Sequence, residues 1–325
     1  MKCNVKAMLM TLISVQVMSV STGYAQSPDV AAEPVKIREN FSPFELGTIG
    51  VGTAGAVFLI GFGEHVFGHP NPSMGPPSPE SVDWRFTHWA NSAPDPVKQW
   101  LGGVPDTAGY VLPVAALGFY ATGSIGSAFR DDFVIGSKNH EMLAFTEAFA
   151  WTMFTTNALK LMVGRARPFT VREDLDAGSF GEDEKEYFLS FPSGHSASAA
   201  ATSTFLALDL SDHLVHHTFA ESHPALRYGL GYGLPLLGAV TVSGTVMFSR
   251  IKDQRHWLSD TLTGAMIGAG MSTIFYVMHF DEKGAPRRRH DIEQESAASE
   301  EVIQQSYMVP SVTSSGPVLQ YGFIF

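Results

Sequence analysis

Three short blocks of basic, histidine and acidic residues stand in order along the chain, and their residue types suit chemistry on a phosphate ester. Hydrolysis of a phosphate monoester needs cations around a dianion, a nucleophile and an acid for the leaving oxygen. The blocks contain residues of all these types. In chain order they are Lys160 and Arg167, then Ser193, Gly194 and His195, and finally Arg250, His256 and Asp260.

The basic residues are candidates for holding phosphoryl oxygens. Lys160 and Arg167 are seven residues apart, so on a helix they would lie on one face. Arg165, two residues before Arg167, would point elsewhere, and Arg250 adds a third cation. Arginine offers phosphate a planar fork, whereas lysine offers a point charge.

The other two blocks predict a phosphate cradle and an oriented histidine. Ser193 and Gly194 precede an apolar run from Ala197 to Leu208 that is typical of a helix, and N–H groups at a helix start bind phosphate. His256 and Asp260 are one helical turn apart. An aspartate so placed can hold one ring nitrogen and leave the other for attack.

Taken in order, the blocks form the pattern K-x6-RP, PSGH and SR-x5-H-x3-D, with no departure at any position. This pattern resembles the signature of the type 2 phosphatidic acid phosphatase superfamily, which also contains bacterial class A acid phosphatases and vanadium haloperoxidases. Each block alone has an ordinary structural interpretation, as a solvated helix end, a capped turn or a surface ion pair. Their joint order and spacing favour the functional interpretation.

The resemblance implies a role for each residue and no metal or other cofactor. His256 would be the nucleophile that forms a phosphohistidine, and Asp260 would orient it. His195 would protonate the leaving alkoxide and then activate water. The phosphoryl oxygens would be bound by Lys160, Arg167, Ser193, Gly194 and Arg250.

Six apolar stretches predict an all-α bundle of six core helices, which we expect to be membrane-embedded. They run over Leu46–Gly63, Gly109–Phe129, Met142–Leu159, Ala197–Leu208, Tyr228–Phe248 and Thr261–Met278. The first block ends the third helix, the second opens the fourth, and the third joins the last two, so all three should meet at one end of the bundle. The mean hydropathy of +0.05 is low for six spans, and a soluble helical bundle stays open.

The remaining segments predict export and a small appendage. Residues 1–25 resemble a secretory signal peptide, with an uncleaved anchor as the alternative. A linker follows over 26–44, then the phosphatase domain over 45–280 and a polar linker over 281–305. Residues 306–325 have the alternating pattern of a β-hairpin.

The predicted location is the cell envelope, with an inner-membrane protein whose site faces the periplasm as the favoured arrangement. A cleaved leader followed by six spans would instead leave the site in the cytoplasm. Either a span is miscounted, or the leader is retained, or the domain does not span the membrane. A soluble periplasmic or an outer-membrane-associated protein therefore stays open.

These features predict a metal-independent phosphatase for phosphate monoesters. The apolar helices favour lipid phosphates or lipid pyrophosphates as substrates, and the membrane as a partner. The net charge of −11 argues against nucleic acid. The alternatives are a soluble periplasmic acid phosphatase of broad specificity, a vanadium-dependent haloperoxidase and an inactive envelope scaffold.

Two further segments have competing interpretations. Gly50, Gly52 and Gly55 form a G-x-G-x-x-G, but no strand precedes it, so we interpret it as helix packing. Trp84 and Trp89 follow a proline-rich loop. They predict either an interfacial helix near the substrate entrance or a loop that packs its aromatic rings inward.

Overall fold

The described part of the chain is mostly helical. The computed structural model describes residues 43–67, 74–92, 108–129, 138–171, 187–287, 307–313 and 316–322. The predicted signal peptide, nearly all of the first linker and the polar linker beyond residue 287 lie outside these residues. The described helices are α1 (Pro43–Phe67), α2 (Val82–Asn91), α3 (Ala108–Phe129), α4 (Asn139–Val163), α5 (Gly194–His213), α6 (Pro224–Lys252) and α7 (Leu258–His279).

The helix count differs from the predicted six. Seven α-helices occur among the described residues, and six of them, of 20 to 29 residues, cover the six apolar stretches. The seventh is α2, which has only 10 residues and begins after a Ser81 N-cap. Its sequence is amphipathic rather than apolar, which is why a search for apolar stretches passes over it.

Helix α5 forms the centre of the bundle. It packs against α3, α4, α6 and α7, whereas α1 lies outside and packs against α4. Residues Ser196 to Ser203 of α5 are buried, and all of them are alanine, serine or threonine. Such small side chains let helix backbones approach closely, as they do in membrane proteins.

The closest approach is between α5 and α7, at two glycines of α7. A Cβ added to Gly264 would overlap the carbonyl oxygen of Ser193, and one added to Gly268 would overlap that of Ala197. The Ser193 amide also donates to the Asp260 carbonyl oxygen at 3.0 Å. The amino-terminal ends of α5 and α7, which carry candidate site residues, are therefore fixed against each other.

This packing predicts opposite effects for two alanine substitutions in α7. Gly268→Ala should lower the free energy of unfolding by about 1–3 kcal/mol, because the new methyl group forces two backbones apart. Gly270→Ala should be neutral or stabilise by up to about 1 kcal/mol, since alanine is the better helix former and an added Cβ there meets nothing within 4 Å. The free energy of unfolding of both variants, measured in mixed micelles, checks this prediction. Equal changes in the two variants would contradict the close packing at Gly268.

The G-x-G-x-x-G segment lies inside α1, where it packs against α4. A Cβ at Gly52 would lie 3.2 Å from the indole nitrogen of Trp151, and one at Gly55 would lie 2.8 Å from the Phe154 ring. The glycines thus leave room for two large aromatic side chains. This arrangement agrees with the helix-packing interpretation.

Several polar side chains inside the bundle have hydrogen-bond partners. Glu147, the charge in the third apolar stretch, lies 2.8 Å from the Nε2 atom of His279 and accepts a hydrogen bond from the Thr48 hydroxyl. The His140 ring nitrogen lies 3.1 Å from the His279 carbonyl oxygen. These partners offset the cost of burying Glu147 among apolar helices.

Three described helices are long and apolar enough to cross a bilayer. The candidate spans are Leu46–Gly63, Pro224–Lys252 and Leu258–His279, and Gly109–Gly123 is a shorter apolar helix. Many large apolar side chains on these helices point outward, including Ile60, Leu237 and Met266, each more than 60% exposed. An apolar exterior of this kind suits contact with lipid, and the chain is a membrane protein. The side of the membrane that the site faces stays a prediction.

A two-stranded antiparallel sheet lies near the carboxyl end of the chain. Strand β1 (Tyr307–Thr313) pairs with β2 (Gly316–Gly322), and Thr313 lies opposite Gly316. Its role as a separate appendage stays a prediction.

Candidate active site

A cavity of about 390 Å³ lies where the ends of α4, α5 and α6 meet. Residues from all three sequence blocks line it, as the predicted connectivity requires. The lining residues from the blocks are Lys160, Arg167, Gly194, His195, Arg250 and His256. Ser193 and Asp260 do not line it; both are fully buried behind it.

Lys160 and Arg167 both face the cavity, but not from one helical face. Helix α4 ends at Val163, and Gly164 follows in the left-handed conformation with φ of 58°. A left-handed glycine is a common way to end a helix, and the residue before Pro168 is also disfavoured in a helix. The Arg167 amide instead donates to the Tyr187 carbonyl oxygen at 2.9 Å. The prediction that the two residues share one helical face was therefore wrong, because the chain turns between them.

Ser193 and Gly194 begin α5, as the sequence predicts. The Ser193 hydroxyl oxygen accepts from the Ser196 amide at 3.4 Å and from the Ser196 hydroxyl at 3.0 Å. It thus caps the helix from inside the protein, which leaves the Gly194 backbone as the part of this turn that faces the cavity. A Cβ at Gly194 would lie 3.6 Å from the Lys160 ammonium nitrogen, so a side chain there would narrow the space beside that cation.

The α6–α7 connection places Arg250 and His256 on the same cavity. One Nη nitrogen of Arg250 lies 3.1 Å from the Asp253 carboxylate, which limits the positions of the guanidinium. Gln254 is in the left-handed conformation, with φ of 55°. Because of this turn, the consecutive residues Arg255 and His256 both line the cavity. Arg255 is a basic lining residue outside the signature positions, and its guanidinium lies 5.6 Å from the Phe169 ring centre.

The His256 ring is held by a backbone carbonyl group. Its Nδ1 lies 2.7 Å from the Ser190 carbonyl oxygen, which can only accept, so Nδ1 carries the proton and Nε2 has the lone pair. Burial lowers the pKa of His256 well below its ordinary value, and the positive charges of Arg167 and Lys160 lower it further. The imidazole is therefore kept neutral.

Asp260 lies near His256 but does not make the expected hydrogen bond to it. Its Oδ2 atom is 3.9 Å from the His256 Nδ1, beyond hydrogen-bond distance. That oxygen instead accepts from the Trp257 amide at 2.9 Å and from the Ser190 hydroxyl at 2.5 Å. Asp260 occupies the third position of α7, where its carboxylate accepts a hydrogen bond from the backbone amide of the N-cap residue, Trp257.

Arg165 lies outside the cavity lining, although not for the predicted reason of a helical face, and it pairs with Asp260. One guanidinium nitrogen lies 2.5 Å from Asp260 and another lies 2.7 Å from Asp83 of α2. Asp83 also accepts from the Ser259 amide at 2.7 Å. Sequence reasoning missed this group because no motif position marks Asp83, which lies 177 residues before Asp260.

His195 lies against the amino-terminal end of α3. The Tyr110 ring packs on it edge-to-face, with ring centres 4.9 Å apart, and also lines the cavity. A Cβ at Gly109 would lie 2.7 Å from the His195 ring, so only glycine leaves room for the imidazole there. No sequence pattern marks this contact, since Gly109 and Tyr110 begin an ordinary apolar stretch.

One family model and several curated relatives match part of this chain. The family model described as PAP2 superfamily matches residues 141–283. A PA-phosphatase related-family protein of Dictyostelium discoideum is 29% identical over 180 residues, which are 53% of this chain and 62% of that protein. Diacylglycerol pyrophosphate phosphatase 1 of Saccharomyces cerevisiae is 30% identical over 152 residues, 42% of this chain and 50% of that protein. The chain thus spans about half to three fifths of the length of these relatives.

A solved structure is also similar to part of the chain. It is a transmembrane PAP2 type phosphatidylglycerolphosphate phosphatase from Bacillus subtilis, 16% identical, with a TM-score of 0.41 over 72% of this chain and 94% of that one. The matched family region, residues 141–283, contains every residue of the three blocks. The part of this chain that contains the candidate site therefore matches the PAP2 superfamily.

Proposed function

We propose that the protein is a phosphatase that hydrolyses phosphate monoesters of lipids through a phosphohistidine at His256. The observation that supports this proposal most is the single cavity that Lys160, Arg167, Arg250, His195 and His256 share. Three cations and two imidazoles around one space can bind a phosphate dianion, attack it and protonate its leaving group.

In the first step, the Nε2 lone pair of His256 attacks phosphorus as the bond from phosphorus to the ester oxygen breaks. His195 donates its proton to the departing oxygen, so the alcohol leaves neutral. The His256 ring becomes positive while Nδ1–H still donates to the Ser190 carbonyl oxygen, 2.7 Å away. Lys160, Arg167 and Arg250 stabilise the negative charge on the phosphoryl oxygens.

In the second step, water attacks the phosphorus of the phosphohistidine. His195, now neutral, takes a proton from that water, the bond from phosphorus to Nε2 breaks, and phosphate leaves. His256 returns to its neutral form and His195 to its protonated form, so the cycle is balanced. The cations do the electrostatic work throughout, and the scheme assigns no step to a metal.

Lipid phosphates are the substrate class that the surroundings of the cavity favour. Ile60 of the candidate span Leu46–Gly63 lines the cavity and is 62% exposed, so the cavity borders an apolar side chain on the outer surface of that helix. Trp89 of α2 is 58% exposed, and its ring centre lies 6.1 Å from that of Phe248, near the end of α6. Tryptophan is enriched at the membrane–water interface, where lipid head groups lie.

The experiment that tests this proposal is phosphate release by the purified protein on matched substrates. One set would be lipid phosphates in detergent micelles, and the other would be small soluble phosphate esters. We expect a higher kcat/KM on the lipid set, with release from both sets lost in His256→Ala. Equal or faster release from soluble esters would instead support an acid phosphatase of broad specificity, and His256-independent release would contradict the mechanism.

The pKa of His256 predicts the acid side of the pH profile. The nucleophile is the neutral imidazole, so activity is present above this pKa and is lost as pH falls through it. Because burial, Arg167 and Lys160 hold the pKa below the ordinary value of 6.5, the acid limb of kcat/KM should lie below pH 6.5. Titration of the substrate by phosphorus NMR gives the pKa of the substrate phosphate, so that its effect on the profile can be separated from that of the enzyme. If the remaining acid limb of kcat/KM lies at or above pH 6.5, the assignment of His256 as the nucleophile is contradicted.

The acid role of His195 predicts a dependence on the leaving group. His195→Ala should slow alkyl phosphates by about 10²–10⁴-fold, because their alkoxides need a proton as they depart. An activated aryl phosphate, whose phenolate leaves without help, should lose far less. The kcat of His195→Ala on the two esters, compared with that of the unaltered protein, checks this prediction. An equal loss on both esters would contradict the role of His195 as the acid.

A further inference from the structure

A continuous series of contacts connects helix α2 to the proposed nucleophile. The His256 Nδ1 donates to the Ser190 carbonyl oxygen at 2.7 Å, and the Ser190 hydroxyl donates to Asp260 at 2.5 Å. Arg165 donates to the other oxygen of Asp260 at 2.5 Å and to Asp83 at 2.7 Å. Every contact is within hydrogen-bond distance, so the series runs unbroken from Asp83 to the ring.

Most of these groups are shielded from water. The side chains of Arg165 and Asp83 are 7% and 14% exposed, and Asp260 and Ser190 are fully buried. Hydrogen bonds in such surroundings are strong and directional, and a partly satisfied network costs stability. The position of each member therefore depends on its neighbours, and a change at Asp83 should reach Ser190.

Asp83 is well placed to fix the Arg165 guanidinium. Its Oδ1 atom accepts from the Ser259 amide at 2.7 Å, while Oδ2 accepts from Arg165 and from the Ser259 hydroxyl. The carboxylate is thus tied to the first turn of α7 and to the guanidinium at once. Without it, one terminal nitrogen of Arg165 would keep Asp260 and the Ser259 hydroxyl, 2.6 Å away, but the other would lose its charged partner.

We infer that Asp83 is a positioning residue for the proposed nucleophile: through Arg165, Asp260 and Ser190 it aligns the His256 ring for attack. Asp83 lies outside the matched family region and does not line the cavity. Its effect therefore falls on the rate of the chemical steps and not on phosphate binding. This inference rests on the proposed role of His256.

The test compares Asp83→Asn with Ser81→Ala in the whole 325-residue chain. Asparagine keeps the shape of the side chain and removes the charge that holds Arg165. Ser81→Ala removes the N-cap of α2, where the Ser81 hydroxyl accepts from the Trp84 amide at 3.2 Å, but leaves the Asp83 carboxylate in place. The control thus weakens the helix by about 1 kcal/mol without breaking the series.

We expect Asp83→Asn to lower kcat by about 10- to 100-fold, the loss seen when a group that orients a metal-bound histidine is removed. The inhibition constant of inorganic phosphate should stay within about twofold, which also shows that the cavity is folded. Ser81→Ala should change kcat by less than about twofold. Asp83→Glu, which restores the charge on a longer side chain, should recover part of the lost rate.

Three results would overturn the inference. The first is an unchanged kcat in Asp83→Asn, and the second is an equal fall of kcat in Ser81→Ala, which would mean that α2 matters only for folding. The third is a loss of phosphate inhibition together with kcat. These outcomes are distinct from a failure of the proposed function, in which the unaltered protein would release no phosphate in a His256-dependent way, and which would overturn both.

Discussion

His256→Ala is expected to reduce turnover by on the order of 10⁴-fold or more, because it removes the atom that attacks phosphorus. The cations of the cavity stay in place, so inorganic phosphate should still inhibit binding of a substrate analogue. Phosphate release measured at saturating substrate, together with an inhibition constant, separates the two effects. Activity within tenfold of the unaltered protein would remove His256 from the mechanism.

His217→Ala is a matched control for this substitution. His217 is an exposed residue in the π-helical turn that follows α5, whereas the cavity lies at the opposite end of that helix. Because α5 has 20 residues, about 30 Å separate the two ends. The control should leave kcat and the inhibition constant unchanged, and a loss there would mean that the effect at His256 is not specific.

Arg165→Leu is expected to lower the free energy of unfolding by about 3–5 kcal/mol, the usual cost of removing one partner from a buried ion pair. Two carboxylates, Asp83 and Asp260, depend on this guanidinium, and both are at least four-fifths buried. Leucine fills part of the space but offers neither charge nor hydrogen bonds. Unfolding in mixed micelles, followed by circular dichroism, measures the change.

Arg85→Leu provides the comparison for Arg165. Arg85 lies on α2, two residues after Asp83, but its side chain is exposed. Removal of an exposed arginine usually changes stability by less than about 0.5 kcal/mol. Similar losses in the two variants would mean that the Arg165 network contributes little to the fold.

The sequence predicted the location of the candidate site well, because its information is local. PSGH begins a helix, the first block spans the end of one, and the third spans the connection between two. Short connections between antiparallel helices bring such ends together. The convergence of Lys160, His195 and His256 on one cavity follows from this connectivity. The close packing of α5 and α7 likewise follows from runs of small residues in both helices.

The details that the sequence did not predict depend on contacts between distant segments. The spacing of His256 and Asp260 predicted a direct hydrogen bond, because residues four apart on a helix lie one turn apart on the same face. The chain is not helical at His256, however, and α7 begins at Leu258. Asp260 therefore caps its own helix, and the Ser190 carbonyl takes its expected place. No spacing rule could reveal that partner, 66 residues away.

Helix α2 is the other part that the sequence left open. Its aromatic residues fitted both an exposed interfacial helix and a loop packed inward, and the structure combines features of the two. Trp84 stacks on Trp257 with ring centres 5.6 Å apart, whereas Trp89 is largely exposed. An amphipathic helix of 10 residues has one face that packs on the protein and one that is exposed. Tertiary contacts decide which of its aromatic residues lie on the packed face.

The central claim, covalent catalysis by His256, is tested most directly by trapping the phosphorylated protein. A substrate with a radioactive phosphoryl group would be mixed with the enzyme, and the reaction would be quenched in alkali, in which phosphohistidine is the stable species. We predict label on the peptide that contains His256, more label in a variant with slowed hydrolysis such as His195→Ala on an activated ester, and none in His256→Ala. Label on another residue, or rapid turnover with no labelled protein, would contradict the mechanism.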